Sequence, residues 1–382
     1  LTQLTDKSAS AVGIVTALQF APQLLFLPWT GPAADIFNQR RLLMITQAAM
    51  GILALALGAL TVSGAIELWH VYVFAFLLGT ATAFDGPARQ TFVSEMVGDG
   101  ELANAVALNS MTFNSARMIG PAIAGIAIAT VGTGWAFIAN GVSFLAVLLS
   151  LAFLRVHELF PNARAARRPG GFREGLAYVW QRDDLRVAMI MLFLIGTFGM
   201  NFAIWTSTMA VKVFHTDAHG YGMLSSLMAV GTVSGALLAA GRERPRFAHL
   251  VIGTGMFAIG CMMAALAPGY WTLGAALIVI GVSVLTFLNS SNALVQLTTE
   301  PSMRGRVMAF RMAITLGGTP IGAPIVGWVA DRFGPRWSLG IGVAAGIAAA
   351  LVGLNYLLRR DGPSPRRPLP AIAAAPEQEI AP

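Results

Sequence analysis

The sequence predicts an all-α membrane protein. Three observations carry that reading: an apolar composition, long uninterrupted apolar stretches, and basic residues gathered in alternate loops. Of 382 residues, 56% are hydrophobic and 11% charged, against roughly 45–50% and about 25% in an ordinary soluble domain. With a mean hydropathy of +0.68, so much apolar surface cannot be hidden in compact cores, and lipid must be its solvent.

A helix that crosses a bilayer needs about 20 mostly apolar residues. Eleven stretches qualify: 10–32, 42–63, 69–90, 104–131, 135–154, 187–210, 220–241, 248–267, 270–294, 307–330 and 338–358. Glycine recurs inside them, 41 in the chain, as close helix packing in lipid requires. The loop 155–186 is the one long connection. Within it Phe172, Leu176, Val179 and Trp180 fall at helical spacing among charged neighbours, which fits either a short amphipathic helix on the inner leaflet or a solvated linker. From Arg359 onward the chain is rich in Pro and Ala without periodicity, the composition of a disordered tail. The layout expected is therefore an N-terminal bundle over 1–154, a central loop over 155–186, a C-terminal bundle over 187–358 and a tail over 359–382.

The net charge of +7 does not point to nucleic acid, because most of the 25 Lys and Arg sit in alternate loops and the tail. Arg40, Arg41, seven arginines of 155–186, Arg242, Arg244, Arg246, Arg304, Arg306, Arg311 and the arginines after 358 share one face. Lys7, Lys212, Arg332 and Arg336 lie on the other. The basic face is cytoplasmic by the positive-inside rule, which places the C-terminus in the cytoplasm. The single cysteine, Cys261, excludes an intramolecular disulfide or a cysteine zinc site. No metal or other cofactor is expected. With only two lysines, Lys7 and Lys212, no Walker-type phosphate loop exists, which excludes ATP-driven pumping within this chain.

An internal repeat organises the spans. Sliding the chain by 202 residues places Gly79 on Gly281, Val93 on Val295, Gly120 on Gly322, Gly125 on Gly327, Gly132 on Gly334 and Trp135 on Trp337; an offset of 209 places Gly13 on Gly222 and Leu18 on Leu227. An even number of helices separates the copies, so the halves share one orientation, as in transporters with parallel repeats. The span 187–210 has no counterpart in the first half. This reads as a chain of six plus six helices from which the first is missing, with eleven present.

The segment Gly31-Pro-Ala-Ala-Asp35-Ile-Phe-Asn38-Gln-Arg40-Arg41 resembles the loop motif of the major facilitator superfamily, Gly-x-Leu-Ala-Asp-Arg-x-Gly-Arg-Arg/Lys. Gly31, Ala34, Asp35 and Arg40 match, while Ile36, Asn38 and Gln39 depart from it. Asn38 is expected to serve the turn through its tolerance of the left-handed conformation. The resemblance implies two six-helix bundles and a conformational-switch role for Gly31, Asp35, Arg40 and Arg41, with Asp35 set against the helix that begins near Gly305. Arg117-Met-Ile-Gly120-Pro121-Ala-Ile-Ala124-Gly125 resembles the family's Gly-Pro-x-x-Gly-Gly antiporter motif, with Ala124 in place of one glycine. Pro121 removes a backbone hydrogen bond, and Gly120, Ala124 and Gly125 admit a close neighbour.

Asp85, Arg89 and Arg117 form the third constellation, since charges inside a span must pair or face a cavity. Asp85 and Arg89 are four apart on one helical face. Two readings stand side by side: a titrating carboxylate that couples protons to transport, or a permanent salt bridge pinning the fourth helix of the full count to the fifth or to the loop of Asp35. The stretch Phe84-Asp85-Gly86-Pro87-Ala88-Arg89-Gln90 is similar to the branch that holds siderophore exporters and macrolide efflux proteins. Gly327-Trp-Val-Ala-Asp331-Arg332-Phe-Gly334-Pro-Arg336 fits the loop motif's spacing but falls on the opposite face, and is expected to be a turn with an exposed ion pair. Gln19, Gln23, Asn289 and Asn292 are candidates for the substrate cavity, with helix-packing hydrogen bonds as the alternative. The resemblance implies a monomeric secondary transporter in a bacterial plasma membrane that exports a small amphipathic molecule in exchange for protons. The other readings are a nutrient importer of the same fold and a non-transporting fragment. No His lies near a Ser or carboxylate within a span, so an enzyme is not expected.

Overall fold

The computed structural model describes residues 8–26, 29–30, 37–97, 101–160, 171–240, 246–300 and 303–360. Backbone groups in hydrocarbon must be satisfied within their own segment, and the described residues are accordingly helical. The N-terminal half holds α1 (Ala9–Leu25), α2 (Gln39–Val62), α3 (Leu68–Glu95), α4 (Leu102–Val131) and α5 (Thr133–Ala152). A short helix α6 (Gly171–Gln181) follows. The C-terminal half holds α7 (Asp183–Leu194), α8 (Phe202–Thr208), α9 (Ala218–Ala240), α10 (Phe247–Leu266), α11 (Tyr270–Thr298), α12 (Arg304–Gly317), α13 (Thr319–Arg332) and α14 (Pro335–Arg360). Among the described residues, nine helical segments are long and apolar enough to cross a membrane; α12 with α13 makes one of them and 183–213 another. The shorter α1 is also apolar.

The repeat found in the sequence is a repeat of contacts. Gly79 on α3 lies against the Gln19 carbonyl of α1 with no room for a Cβ, and a Cβ on Gly281 of α11 would lie 2.5 Å from the Met228 carbonyl of α9. Gln19 and Met228 are themselves related by the offset of 209, so the same crossing is built twice. Gly132 and Gly334 occupy equivalent turns at φ 85° and 105°, a conformation that costs glycine little and other residues more. Two arginines repeat a different job on opposite faces. Arg40, second residue of α2, donates to the Leu151 and Ala152 carbonyls at 2.6 and 2.8 Å; Arg336, second residue of α14, donates to the Ala265 and Ala267 carbonyls at 3.0 and 2.9 Å. Each guanidinium satisfies the orphan carbonyls at the end of a neighbouring helix.

Three features differ from the sequence reading. Asn38 is extended (φ −67°) and acts as the N-cap of α2, its side chain accepting from the Arg41 amide at 3.0 Å, so it serves as a cap and not as a left-handed turn. The span at 187–210 is not one regular helix: it widens into a π turn at Ile195–Gly199, breaks at Met200 and Asn201, and widens again at Met209–Val213. At the break, Asn201 Nδ2 donates to the Thr197 carbonyl at 2.9 Å. The Thr197 backbone in turn sits on Gly318 and Gly322 of the α12–α13 segment. The third difference concerns Asp331 and is described with the site.

Among the described residues the halves meet chiefly along two helix pairs, α1 with α13 and α4 with α9, and α1 also touches α12 and α8. α6 docks on α12: Arg306 pairs with Glu174 at 2.6 Å, Val179 is fully buried, and the Tyr178 hydroxyl accepts from the Glu300 amide at 3.4 Å.

The glycine crossings make a direct prediction. Gly281→Ala places a methyl on the backbone of α9, which cannot yield, and costs about 1–3 kcal/mol, whereas Gly255→Ala, with open space around its Cα, leaves stability unchanged or slightly higher. Thermal unfolding of the detergent-solubilised variants, followed by the loss of the monodisperse gel-filtration peak, measures both.

Candidate functional site

Asp85 lies on α3 at 5% exposure, inside the span, where an unpaired carboxylate would be costly. It is satisfied on both oxygens. Oδ1 accepts from the Thr46 hydroxyl at 2.9 Å and from Gln47 Nε2 at 2.7 Å; Oδ2 accepts from Arg89 Nη2 at 2.7 Å. The helical spacing foreseen for Asp85 and Arg89 produces the ion pair. Thr46 and Gln47, both buried on α2, were not singled out from the sequence. The signal available was a glutamine in an otherwise apolar stretch, which must find a partner in hydrocarbon. The carboxylate thus ties α2 to α3, while Arg89, half exposed at 52%, reaches toward the membrane surface. Just beyond the span, burial raises the Glu95 carboxyl above its ordinary value.

The other expected residues distribute as follows. Gly31 and Asp35 lie outside the described residues, as do the side chains of Arg117 and Pro121. The helix expected to face Asp35 begins at Arg304. Arg40 is engaged with carbonyl oxygens at the end of α5, and the Arg41 amide is capped by Asn38. Gly120 and Ala124 on α4 are exposed and Gly125 is buried. Gly120 has nothing within 4 Å of a would-be Cβ, although its repeat mate Gly322 packs against Thr197. Gln19 lines an apolar cavity of about 210 Å³ inside the N-terminal bundle, with Asn140 and residues of α2 and α3. The repeat mate of Asn140 is Gly342, which in the other bundle is covered by the Trp205 ring. Gln23, Asn289 and Asn292 are half-buried. Among the described residues no group of three or more His, Cys, Asp or Glu is arranged to hold a metal.

A second carboxylate is better connected than the sequence implied. Asp331, expected in an exposed ion pair, receives four donors. Lys212 Nζ and the Ala9 amide reach Oδ1 at 2.7 and 2.8 Å, and the Ser10 amide and Ser8 hydroxyl reach Oδ2 at 2.7 and 2.9 Å. The missed partner is the first turn of α1, whose amide groups have no acceptors within their own helix and carry no side-chain signature.

Known proteins match most of the chain. A family model described as transmembrane secretion effector covers residues 1–377, and the chain belongs to that family of major facilitator transporters. Among curated relatives, the multidrug efflux pump Tap of Mycolicibacterium fortuitum is 25% identical over 86% of this chain and 82% of the pump. The enterobactin exporter of Shigella flexneri is 26% identical over 93% of this chain and 84% of its own. The staphyloferrin A transporter of Staphylococcus aureus is 28% identical over 61% of this chain, which spans 59% of that transporter's length. A bacterial homologue of the human lysosomal transporter Spinster, in an inward-facing and occupied conformation, superposes with a TM-score of 0.72 at 15% identity over 94% of this chain and 90% of its own. The nucleoside transporter NupG gives 0.72 at 12% identity over 93% and 92%. The chain is a multi-pass membrane transporter and not an enzyme.

For the Asp85 cluster the expected outcome is asymmetric. Asp85→Leu strands the buried Gln47 donor, while the Thr46 hydroxyl falls back on the Leu43 carbonyl, and the unpaired amide costs about 1–3 kcal/mol. Asp85→Asn keeps an acceptor oxygen for both and costs less. Thermal unfolding in one detergent ranks the three proteins.

Proposed function

We propose that this chain is a secondary active exporter of a small amphipathic molecule, a drug, macrolide or siderophore, driven by proton antiport across a bacterial plasma membrane. The observation that carries the reading is the near full-length relationship to an efflux pump and a siderophore exporter, on a chain whose halves touch along two helix pairs. Two bundles joined along such seams can rock about a midplane site and expose it to each face in turn.

In this reading the first bundle spans 1–154, the second 187–358, with 155–186 as the cytoplasmic connection and 359–382 as a cytoplasmic tail. The protein works as a monomer. The bundles follow a six-plus-six plan with eleven helices in this chain. The open cavity beside Asn140 and the uncovered Gly120 support that plan, because both mark the slot that the 183–213 segment fills in the other bundle. Asp35 holds one conformation from the cytoplasmic side, Gly120, Pro121, Ala124 and Gly125 act as the antiporter-like motif of α4, and Gln19, Gln23, Asn289 and Asn292 contribute polar groups to the path. Asp85 is the proton-binding candidate: its three partners hold the anion, and a proton on Oδ2 would release Arg89 while Thr46 and Gln47 retain Oδ1.

Inside-out vesicles carrying the protein and a pH-sensitive dye test this. Candidate drugs and siderophores should elicit proton movement that is abolished, or reduced at least about tenfold, in Asp85→Asn. Substrate-dependent movement that survives the substitution removes Asp85 from the coupling role. No movement with any substrate in folded protein contradicts proton antiport.

A further inference from the structure

We propose that Asp331, Lys212 and the first turn of α1 form a reversible latch that closes the substrate path at the membrane face where α1 begins. The inference rests on the alternating-access reading above. α1 belongs to the N-terminal bundle, while Lys212 and Asp331 belong to the C-terminal bundle, so the contact crosses the seam that must open. Three of the four donors to Asp331, namely the Ala9 and Ser10 amides and the Ser8 hydroxyl, come from across that seam. Ser8 serves both sides at once, accepting from the Ala11 amide at 3.2 Å as the N-cap of α1 while donating to Asp331. A carboxylate set on an N-terminal turn also meets the positive end of the helix dipole.

Beneath this contact the two helices touch backbone to backbone. A Cβ on Gly327 would lie 2.6 Å from the Ala9 carbonyl, and one on Gly13 would lie 2.5 Å from the Ala323 carbonyl. Ala9 is fully buried within the apolar core of the opposite bundle.

Lys212 makes the closure reversible. It sits in the same bundle as Asp331, at the end of the broken segment, with Nζ 2.7 Å from Oδ1. When the bundles part, Asp331 keeps its ammonium partner and the amides of α1 turn to water at the membrane surface. No charge is left uncompensated in either state. The lysine also competes with α1 for the carboxylate, so the two charged residues bias the equilibrium in opposite directions.

The experiment places a reporter cysteine at position 9 (Ala9→Cys) with Cys261→Ala, and follows its labelling by a membrane-impermeant maleimide in whole cells and in inside-out vesicles. Asp331→Asn should speed labelling about three- to tenfold, the factor that corresponds to losing a charged cap worth about 0.7–1.4 kcal/mol. Lys212→Gln should slow it. Asp331→Glu should lie between Asp331→Asn and the parent. Rates unchanged in folded Asp331→Asn, or shifted in the same direction by both substitutions, overturn the latch. Should Asp331→Asn fail to accumulate, Lys212→Gln decides alone, since an equal or faster rate overturns the proposal. The membrane side from which labelling occurs reports orientation separately, and the readout needs no transport, so failure of the exporter reading leaves it intact.

Discussion

Hydrocarbon offers no hydrogen-bond partner, and that constraint sets the terms for every polar group in this chain. Backbone groups within the spans are satisfied by helix formation. The groups left over at helix ends and the few buried charges must be answered by other parts of the protein. Arg40 and Arg336 answer carbonyls at the ends of α5 and α10. Asp331 answers amides at the start of α1. Asp85 is answered by a hydroxyl, an amide and a guanidinium. Each of these contacts ties two helices together, so the constraint that makes the helices also selects which helices are neighbours.

Where the helices meet, glycine governs the approach. The equivalent crossings of α1 with α3 and α9 with α11 bring backbone against backbone in each half, and these contacts hold a bundle together internally. The contacts between bundles are of the same kind at Gly13 and Gly327, but end in a charged cluster at the membrane surface. That difference matters for motion. Backbone contacts of this kind part with few rotamer changes, and a polar closure at the end of the seam exchanges its partners for water. α6 braces α12 through Glu174 and Arg306, which keeps the central connection in register with the second half.

Much of this was legible in the sequence. Apolar length and basic asymmetry marked a membrane protein of many helices, and the glycine repeat foretold contacts that the fold makes twice. The ion pair of Asp85 and Arg89 followed from a spacing of four. Its partners Thr46 and Gln47 did not, because tertiary packing decides which face of α2 meets α3. Asp331 forms the expected exposed ion pair, with Lys212, but its α1 partners were missed for a similar reason. Its acceptors' partners are backbone amides more than 300 residues away, and amides leave no trace in side-chain pattern. The break near Asn201 was also hidden: glycines at 196 and 199 are unremarkable in a chain with 41 of them, and only the packing of Thr197 on Gly318 and Gly322 marks the site.

The claim at the centre of this account is that the two bundles rock, one face closing as the other opens. Double electron–electron resonance with two spin-label pairs measures it directly. One pair joins Ser63 to Leu266, at helix ends near the face where α1 begins; the other joins Phe153 to Leu358, at ends on the opposite face. All four positions are exposed, and each pair spans the two bundles. The account predicts that substrate or an imposed pH difference lengthens one distance and shortens the other, with two populations in each distribution. Single, invariant distances for both pairs, or distances that change in the same sense, would contradict it.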